Sequence, residues 1–371
     1  MKKYKDIIIT FFLCFILIFT AFSNVNARKT QSTYSDESLI LPNWQDGDYH
    51  DYYKTFDKLV EYNDNYPSLV SLFPIGQSVL GKDMWCMRLT NENNNSHKYS
   101  CLIEGCIHGN EWESGEMCLY LSEYLLINFG KNNSVTDILN KTEVYIVPLV
   151  NPDGRQRNSR HNFNGIDLDA NFDIDFGRLR GHTIPIGKIL GFIKIPYVRL
   201  PFFGICSNCG RHPWSEPETR AIHNLITSLK IKDFSFFVDC HTACHNIVSS
   251  WMSYKEPFEM TNREKELLKF SRYWIQNNTE YENYEGNAKC SGTSMDWCFK
   301  EMHVPSYTFE LLNPNYEPAA GHGRHDNLTH WMKTGLPVLL YMLVNIENLH
   351  NWETPDIEPS LPEGVPPEPL K

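Results

Sequence analysis

The stretch Cys101-Leu102-Ile103-Glu104-Gly105-Cys106-Ile107-His108-Gly109-Asn110-Glu111-Trp112-Glu113-Ser114-Gly115-Glu116 decides how the rest of the chain is read. Its apolar first half is expected to be a buried strand ending at His108, and a helical pattern begins at about Glu111. A histidine and a carboxylate three positions apart then share one strand-to-helix turn. Such a turn aims an imidazole nitrogen and a carboxylate oxygen at one point, as two ligands of a three-residue metal site would be aimed. The H-x-x-E pair alone is weak evidence. It gains meaning only if distant strands bring a third ligand, a base and an anion site to the same edge.

Before this stretch, Tyr52, Tyr53, Phe56, Leu59 and Val60 recur at helical spacing until Pro67 stops the pattern. Residues 70–76 and 84–89 read as two strands of a hairpin turning at Gly81-Lys82-Asp83. After it, the helix runs to about Phe129. Residues 143–150 then form a buried strand that leads into the turn Asn151-Pro152-Asp153-Gly154. Residues 155–215 show no sustained period. Within them, 184–205 is apolar but broken by glycines and prolines, so it is expected to be a loop packed on the body, or a rim touching lipid or a hydrophobic substrate. Ser215 is placed as the cap of a helix through about Leu229, with Pro217 in its first turn. Residues 234–240 and 305–311 are strands. Residues 261–277, 294–302 and 327–349 are helices. Strands alternating with helices predict an α/β fold, a single globular domain with a central mixed, mostly parallel sheet flanked by helices. Open α/β sheets place their sites beyond the carboxyl ends of the strands, and His108, His241, Glu310 and the 151–154 turn all fall there.

Composition narrows the classes. At 371 residues, with 42% hydrophobic and 21% charged side chains, the chain builds a packed core. A net charge of −11 excludes a general nucleic-acid binder, which needs a basic face. Lys2, Lys3 and Lys5 precede an apolar run from Ile7 to Phe22, followed by Val25 and Ala27 at small-residue cleavage spacing. Residues 1–27 are therefore read as a signal peptide or a membrane anchor, and the remainder as secreted or extracytoplasmic. Residues 28–44 form a linker, 45–350 the catalytic domain, and 351–371 a Pro-rich acidic tail. Of eleven cysteines, Cys14 lies in the targeting segment; the even remainder permits disulfides in an exported chain without giving their pairing. Membrane contact is expected only through the N-terminal segment or the 184–205 loop. The oligomeric state is left open.

A catalytic zinc takes three protein ligands and keeps one position for water. His241, in Val238-Asp239-Cys240-His241, is the third-ligand candidate from a separate strand, with His245 as the alternative. Zinc brings bound water towards a neutral pKa, and a neighbouring carboxylate then takes its proton and passes it to the leaving amine. Glu310 is the candidate, because an apolar strand carries it to the same edge. Arg155, Arg157 and Arg160 are available for a developing oxyanion.

Several further motifs follow in order: Tyr66-Pro67-Ser68-Leu69-Val70, Ile75 to Lys82, His108-Gly-Asn-Glu111, Asn151-Pro-Asp-Gly154, Gly165-Ile166-Asp167-Leu168, Ser215-Glu-Pro-Glu-Thr219, Asp296-Trp297 and Tyr307-Thr-Phe-Glu-Leu311. In these the chain resembles the zinc metallocarboxypeptidases of the carboxypeptidase A type, over roughly residues 49–349. The resemblance implies one zinc ion held by His108, Glu111 and His241, with Glu310 as general base and acid and Arg160 polarising the scissile carbonyl. It implies a metallocarboxypeptidase acting on a peptide or peptide-like substrate. Too little chain precedes Tyr49 for the inhibitory propeptide of the digestive members, which is expected to be absent.

Two departures bear on substrate choice. Members of that family read G-V-D-x-N-R-N, where Asn-Arg clamps a terminal carboxylate; here Asp169 and Ala170 stand in those places. An aspartate repels a carboxylate and attracts a cation. The position of the substrate-capping tyrosine falls on Ala288, with Tyr284 as a substitute from a shifted loop. Met295, just before Asp296, implies an apolar pocket floor. The expected alternatives are a variant amidohydrolase or peptidase acting on a modified, cationic or cell-wall peptide terminus, and a non-catalytic zinc-binding protein. Arg155, Arg157 and Arg211 are the candidates for replacing the lost arginine.

Overall fold

Burial along the strands sets the layers. Residues 100–105 are buried at every position, and so is the whole of Phe234–Thr242, so both strands lie inside a sheet covered on both faces. The computed structural model describes residues 40–177, 209–242, 244–252, 261, 262, 265, 279, 281–283, 290–312 and 327–352. In chain order the strands are β1 (Val70–Gln77), β2 (Asp83–Leu89), β3 (Tyr99–Gly105), β4 (Thr142–Val147), β5 (Phe234–Thr242), β6 (Asn246–Ser249), β7 (Glu282–Asn283) and β8 (Ser306–Leu311). They form one sheet in the order β1-β2-β4-β3-β5-β8-β6-β7. The central run β4-β3-β5-β8 is parallel, while β2 meets β1 and β4, and β6 meets β8, antiparallel. The register puts Glu104 beside Asp239, Asp239 beside Thr308, and His241 beside Glu310.

Among the described residues the helices are α1 (Tyr52–Asn65), α2 (Trp112–Asn128), α3 (Asn133–Lys141), α4 (Pro152–Gln156), α5 (Pro217–Leu229), α6 (Ser294–Met302), α7 (Leu328–Val344) and α8 (Ile346–Asn351). Helix α2 is buried almost all round, because it packs on β3 and β5 and is covered in turn by α7. One core lies on this side, with Ile103, Val238 and Phe309 from the sheet; the other, with Leu102, Phe237 and Met295, lies under α5 and α6. Alternation along each strand thus sends Ile103 and Val238 to one side and Glu104 and Asp239 to the other.

The elements follow the sequence expectation closely, with four differences. Strand β3 ends at Gly105 rather than His108, because Cys106 takes a left-handed conformation (φ 52°) and turns the chain. Ser215 does not cap α5: Glu216 holds that position, and the Ser215 hydroxyl instead donates to Glu216 Oε1 and accepts from Asn171 Nδ2. The closing helix is broken at Asn345 into α7 and α8. Helix α3, capped by Asn132, and the short strand β6 were hidden by their brevity. Cys86, Cys101, Cys106, Cys118, Cys240 and Cys298 are buried free thiols. The segments 1–27, 184–205 and 353–371, and most of 261–277, lie outside the described residues. No helix among the described residues is long and apolar enough to cross a membrane.

Candidate metal centre

Three turns meet at the carboxyl edge of the sheet. Gly109 packs directly on the second turn, since a Cβ there would sit 2.1 Å from the carbonyl carbon of Gly154. Asn151 ties them together. Its Oδ1 accepts from Gly154 N at 2.8 Å, and its Nδ2 donates to the carbonyls of Ile107 (3.3 Å) and Arg160 (3.4 Å). The third turn, which carries Arg160 and Asp167, is organised by Asn162. Its Oδ1 accepts from Asn164 N and Ile166 N, and its Nδ2 donates to Glu216 and Glu218. The Ser215–Thr219 motif is therefore scaffolding for this loop, and Glu218 also accepts from Val79 N at the hairpin tip.

Glu111 stands at the N-cap position of α2 but makes no capping bond. Its carboxylate instead lies between two imidazoles. Oε1 is 2.8 Å from His108 Nδ1, and Oε2 is 3.0 Å from His241 Nδ1 and accepts from Thr242 N at 3.1 Å. The two Nδ1 atoms are 3.1 Å apart. The outer nitrogens face acids: His108 Nε2 lies 3.1 Å from Asp167 Oδ1, and His241 Nε2 lies 2.9 Å from Asp239 Oδ2. Burial alone would raise the Glu111 carboxyl, but the charge of His108 and His241 and their hydrogen bonds outweigh it and hold it well below the usual range. These three residues make up the potential metal-ligand group among the described residues.

Arg160 and Glu310 flank this group. Arg160 is half-buried; its Nε donates to Asp167 Oδ2 at 2.9 Å and its Nη1 lies 3.3 Å from Glu111 Oε1. Glu310 is the register neighbour of His241, and its Oε2 meets no hydrogen-bond partner. Burial pushes the Glu310 carboxyl up to about 7, against the pull of His241, with the charge of Glu111 adding to the rise. The zinc carboxypeptidase family model matches residues 56–191 and 203–322.

The chain belongs to the zinc carboxypeptidase family.

It is 33% identical to carboxypeptidase D of Anas platyrhynchos over 34% of this chain and 10% of that protein. It is 24% identical to mast cell carboxypeptidase A of Mus musculus over 70% of this chain and 63% of that one. The chain thus spans less than two-thirds of either relative. The fold is similar to that of bovine thrombin-activatable fibrinolysis inhibitor, with a TM-score of 0.62 and 20% identity over 82% of this chain and 98% of that one.

The His-Glu-His group fits the single zinc ion of this family. Two imidazoles and one carboxylate leave a tetrahedral position open, and donor atoms around such an ion lie about 3.3 Å apart, close to the separations found here. Carboxylates on both outer nitrogens complete the arrangement that fixes ligand tautomers at zinc sites. His245, the alternative ligand, packs instead against Tyr281 (tilted) and Trp331 (edge-on), at 4.5 and 5.7 Å between ring centroids.

The residues singled out for substrate contact are placed as follows. Asp169 is nearly buried, and its Oδ1 accepts from Ser294 N at 2.9 Å at the start of α6. Ala170 is fully buried, with its carbonyl against Gly292. Met295 is fully buried too, its sulfur 3.5 Å from Thr308 Oγ1. Tyr284 and Ala288 lie outside the described residues. Arg155 is committed elsewhere: its guanidinium stacks on Trp112 at 3.6 Å and donates to the His50 carbonyl. Arg157 donates to the carbonyls of Asp153 and Asn162. Sequence reasoning assigned no role to Asp167, Asp239 or Glu104. The period-2 signal was present for Asp239, which precedes His241 by two residues on one strand face.

Proposed function

We propose that the protein is a zinc-dependent metallocarboxypeptidase that hydrolyses peptide or peptide-like substrates at their C-terminal end. The observation that carries this is that His108, Glu111 and His241 bring one potential ligand atom each within 4.8 Å of one another, with Glu310 the register neighbour of His241 and Arg160 Nη1 3.3 Å from Glu111 Oε1. His108, Glu111 and His241 are the metal ligands in this reading. Bound zinc supplies Lewis acidity, which activates water and polarises the scissile carbonyl. Glu310, held near neutrality by burial, takes the water proton and returns it to the leaving amine. Arg160 points its guanidinium at the metal edge, where it donates to oxygen as negative charge develops there. Met295, fully buried at the start of α6, is the candidate for an apolar pocket floor in this reading. The basic N-terminus and apolar run of residues 1–22 support export, so the reaction takes place outside the cytosol.

The test combines zinc content of the purified full chain with hydrolysis of a peptide panel read by mass. One zinc per chain is expected. Glu310→Gln should keep the zinc and lose about 100- to 10,000-fold in kcat. An unchanged rate in that variant overturns the assignment of Glu310. Zinc bound without hydrolysis of any peptide leaves a zinc-binding protein instead.

A further inference from the structure

A cleft of about 310 Å³ lies between residues 43–50, α1 and α2, and no member of the metal-ligand group lines it. Its outer wall is laced along α2. Ile40 N donates to Asn128 Oδ1 at 3.2 Å, Trp44 Nε1 to Glu123 Oε2 at 3.1 Å, and His50 N to Glu116 Oε1 at 2.7 Å. Asp46 accepts from Thr329 N and Oγ1 at the start of α7. These bonds fix the segment, so the cleft is preformed. It falls at the lower end of the size range of small-molecule sites, about 300–1,000 Å³.

The lining presents polar groups of both signs. Trp44 Nε1, Tyr62 Oη and Lys58 Nζ all meet one oxygen of Glu123, Oε2, at 3.1, 2.8 and 3.2 Å, which leaves Oε1 able to accept. His50 Nδ1 lies 2.7 Å from Glu116 Oε2. With the proton on Nδ1 against that carboxylate, the neutral ring offers its Nε2 lone pair as a second acceptor. Trp44 stands between the two acceptors, bonded to Glu123 and with its ring centroid 5.3 Å from that of His50. Asp48 engages one oxygen with Gln45 N and keeps the other. On the α1 side Lys58 is taken up by Glu61 and Glu123, whereas the exposed Lys54 ammonium meets no partner among the described residues. An anion without an ammonium is repelled here by Glu123 and Asp48, and a cation without a carboxylate by Lys54 and Lys58. A small zwitterion meets acceptors at one end and an ammonium at the other.

We infer that this cleft is a binding site for a free α-amino acid, with the ligand ammonium on Glu123 Oε1 and His50 Nε2 and its carboxylate on Lys54. The site is separate from the metal group and does not need the hydrolase reading. Under that reading its ligand belongs to the class of molecule that the reaction releases.

The test is an NMR titration of the zinc-loaded, isotope-labelled full chain, read at the backbone amides of residues 43–50, which separates this cleft from the metal group. The probes are L-phenylalanine, phenethylamine, which lacks the carboxylate, and 3-phenylpropionate, which lacks the ammonium. Phenylalanine should shift these amides saturably, and each analogue should bind there about tenfold more weakly. Lys54→Ala removes an exposed side chain and should weaken phenylalanine about tenfold, while the rate of peptide hydrolysis in the absence of added amino acid stays as in the unmodified chain. No saturable shift with phenylalanine, or equal affinity in Lys54→Ala, overturns the site. An analogue that binds as tightly as phenylalanine overturns the zwitterion assignment. Lys54-dependent phenylalanine binding in a chain that hydrolyses no peptide overturns the hydrolase reading and supports the cleft.

Discussion

Replacing Asp167 by asparagine should weaken zinc binding without unfolding the protein. Asp167 is fully buried and its two oxygens serve two residues: Oδ1 lies 3.1 Å from His108 Nε2, and Oδ2 accepts from Arg160 Nε at 2.9 Å. An ionised carboxylate only accepts, so it keeps the His108 proton on Nε2 and leaves the Nδ1 lone pair facing Glu111 and His241. An asparagine fills nearly the same volume, but it can turn its NH₂ group towards Nε2. The proton then moves to Nδ1, the nitrogen that must bind the metal. Loss of such an outer carboxylate costs about 10- to 100-fold in metal affinity, or about 1.4–2.7 kcal/mol. Arg160 also loses its charge partner, so kcat should fall beyond what zinc occupancy explains. The assay is chelator competition for zinc on the purified full chain, run beside a thermal melt monitored by circular dichroism. A zinc affinity within about threefold of the unmodified chain, with an unchanged melt, would falsify the tautomer argument.

The remaining predictions concern pH, the turn packing and a buried ion pair. Without metal, burial and Arg160 disfavour the charged form of His108, and burial disfavours it in His241; Glu111, Asp167 and Asp239 more than compensate and raise both above the usual imidazole value. That raised value stabilises the metal-free protein below about pH 6.5 and the contribution is lost as pH rises through the folded value. Zinc must displace those protons, so the gap in melting temperature with and without zinc should widen from about pH 6 to about pH 8; a constant gap would count against the ligand set. Gly109→Ala drives a Cβ into the Gly154 backbone and should cost about 3 kcal/mol in a urea melt, with weaker zinc binding. Lys82→Ala removes the 2.7 Å partner of the fully buried Asp153, which retains the Leu80 N–H; a loss of about 2 kcal/mol is expected by the same melt, and no loss would show the pair to be dispensable.

The α/β class was legible because apolar runs and helical periods alternate, and because a parallel sheet gathers its strand ends at one edge. That topology is why residues as distant as His108, His241 and Glu310 could be grouped before any coordinates were known. The local path was less legible. Nothing in Gly105-Cys106-Ile107 announces that Cys106 takes a left-handed turn, since a cysteine there is held by context: its N–H donates to Ser114 Oγ and its sulfur lies 3.3 Å from the Glu111 carbonyl. Glu216 was legible only as part of a motif, and the part Asn162 and Glu216 play in the loop was not. Their importance lies in contacts across more than fifty residues, which no local pattern encodes.

The acids missed by sequence reasoning stand behind the two histidines of the metal-ligand group. Asp167 holds His108 and Arg160 together, so the orientation of both is set by one side chain. Asp239 faces inward, holding His241 on one side and standing beside Glu104 on the other. The ligand histidines thus present the same nitrogen, Nδ1, for the same reason, but the charges behind them differ. Behind His108 a guanidinium balances the carboxylate. Behind His241 the Asp239 carboxylate stands beside Glu104, whose carboxyl is pushed well above the usual range by burial and by the charge of Asp239, and the Ser294 hydroxyl donates to Asp239. This asymmetry belongs to the sheet register, because Glu104, Asp239 and Thr308 are fixed as neighbours before any loop is placed.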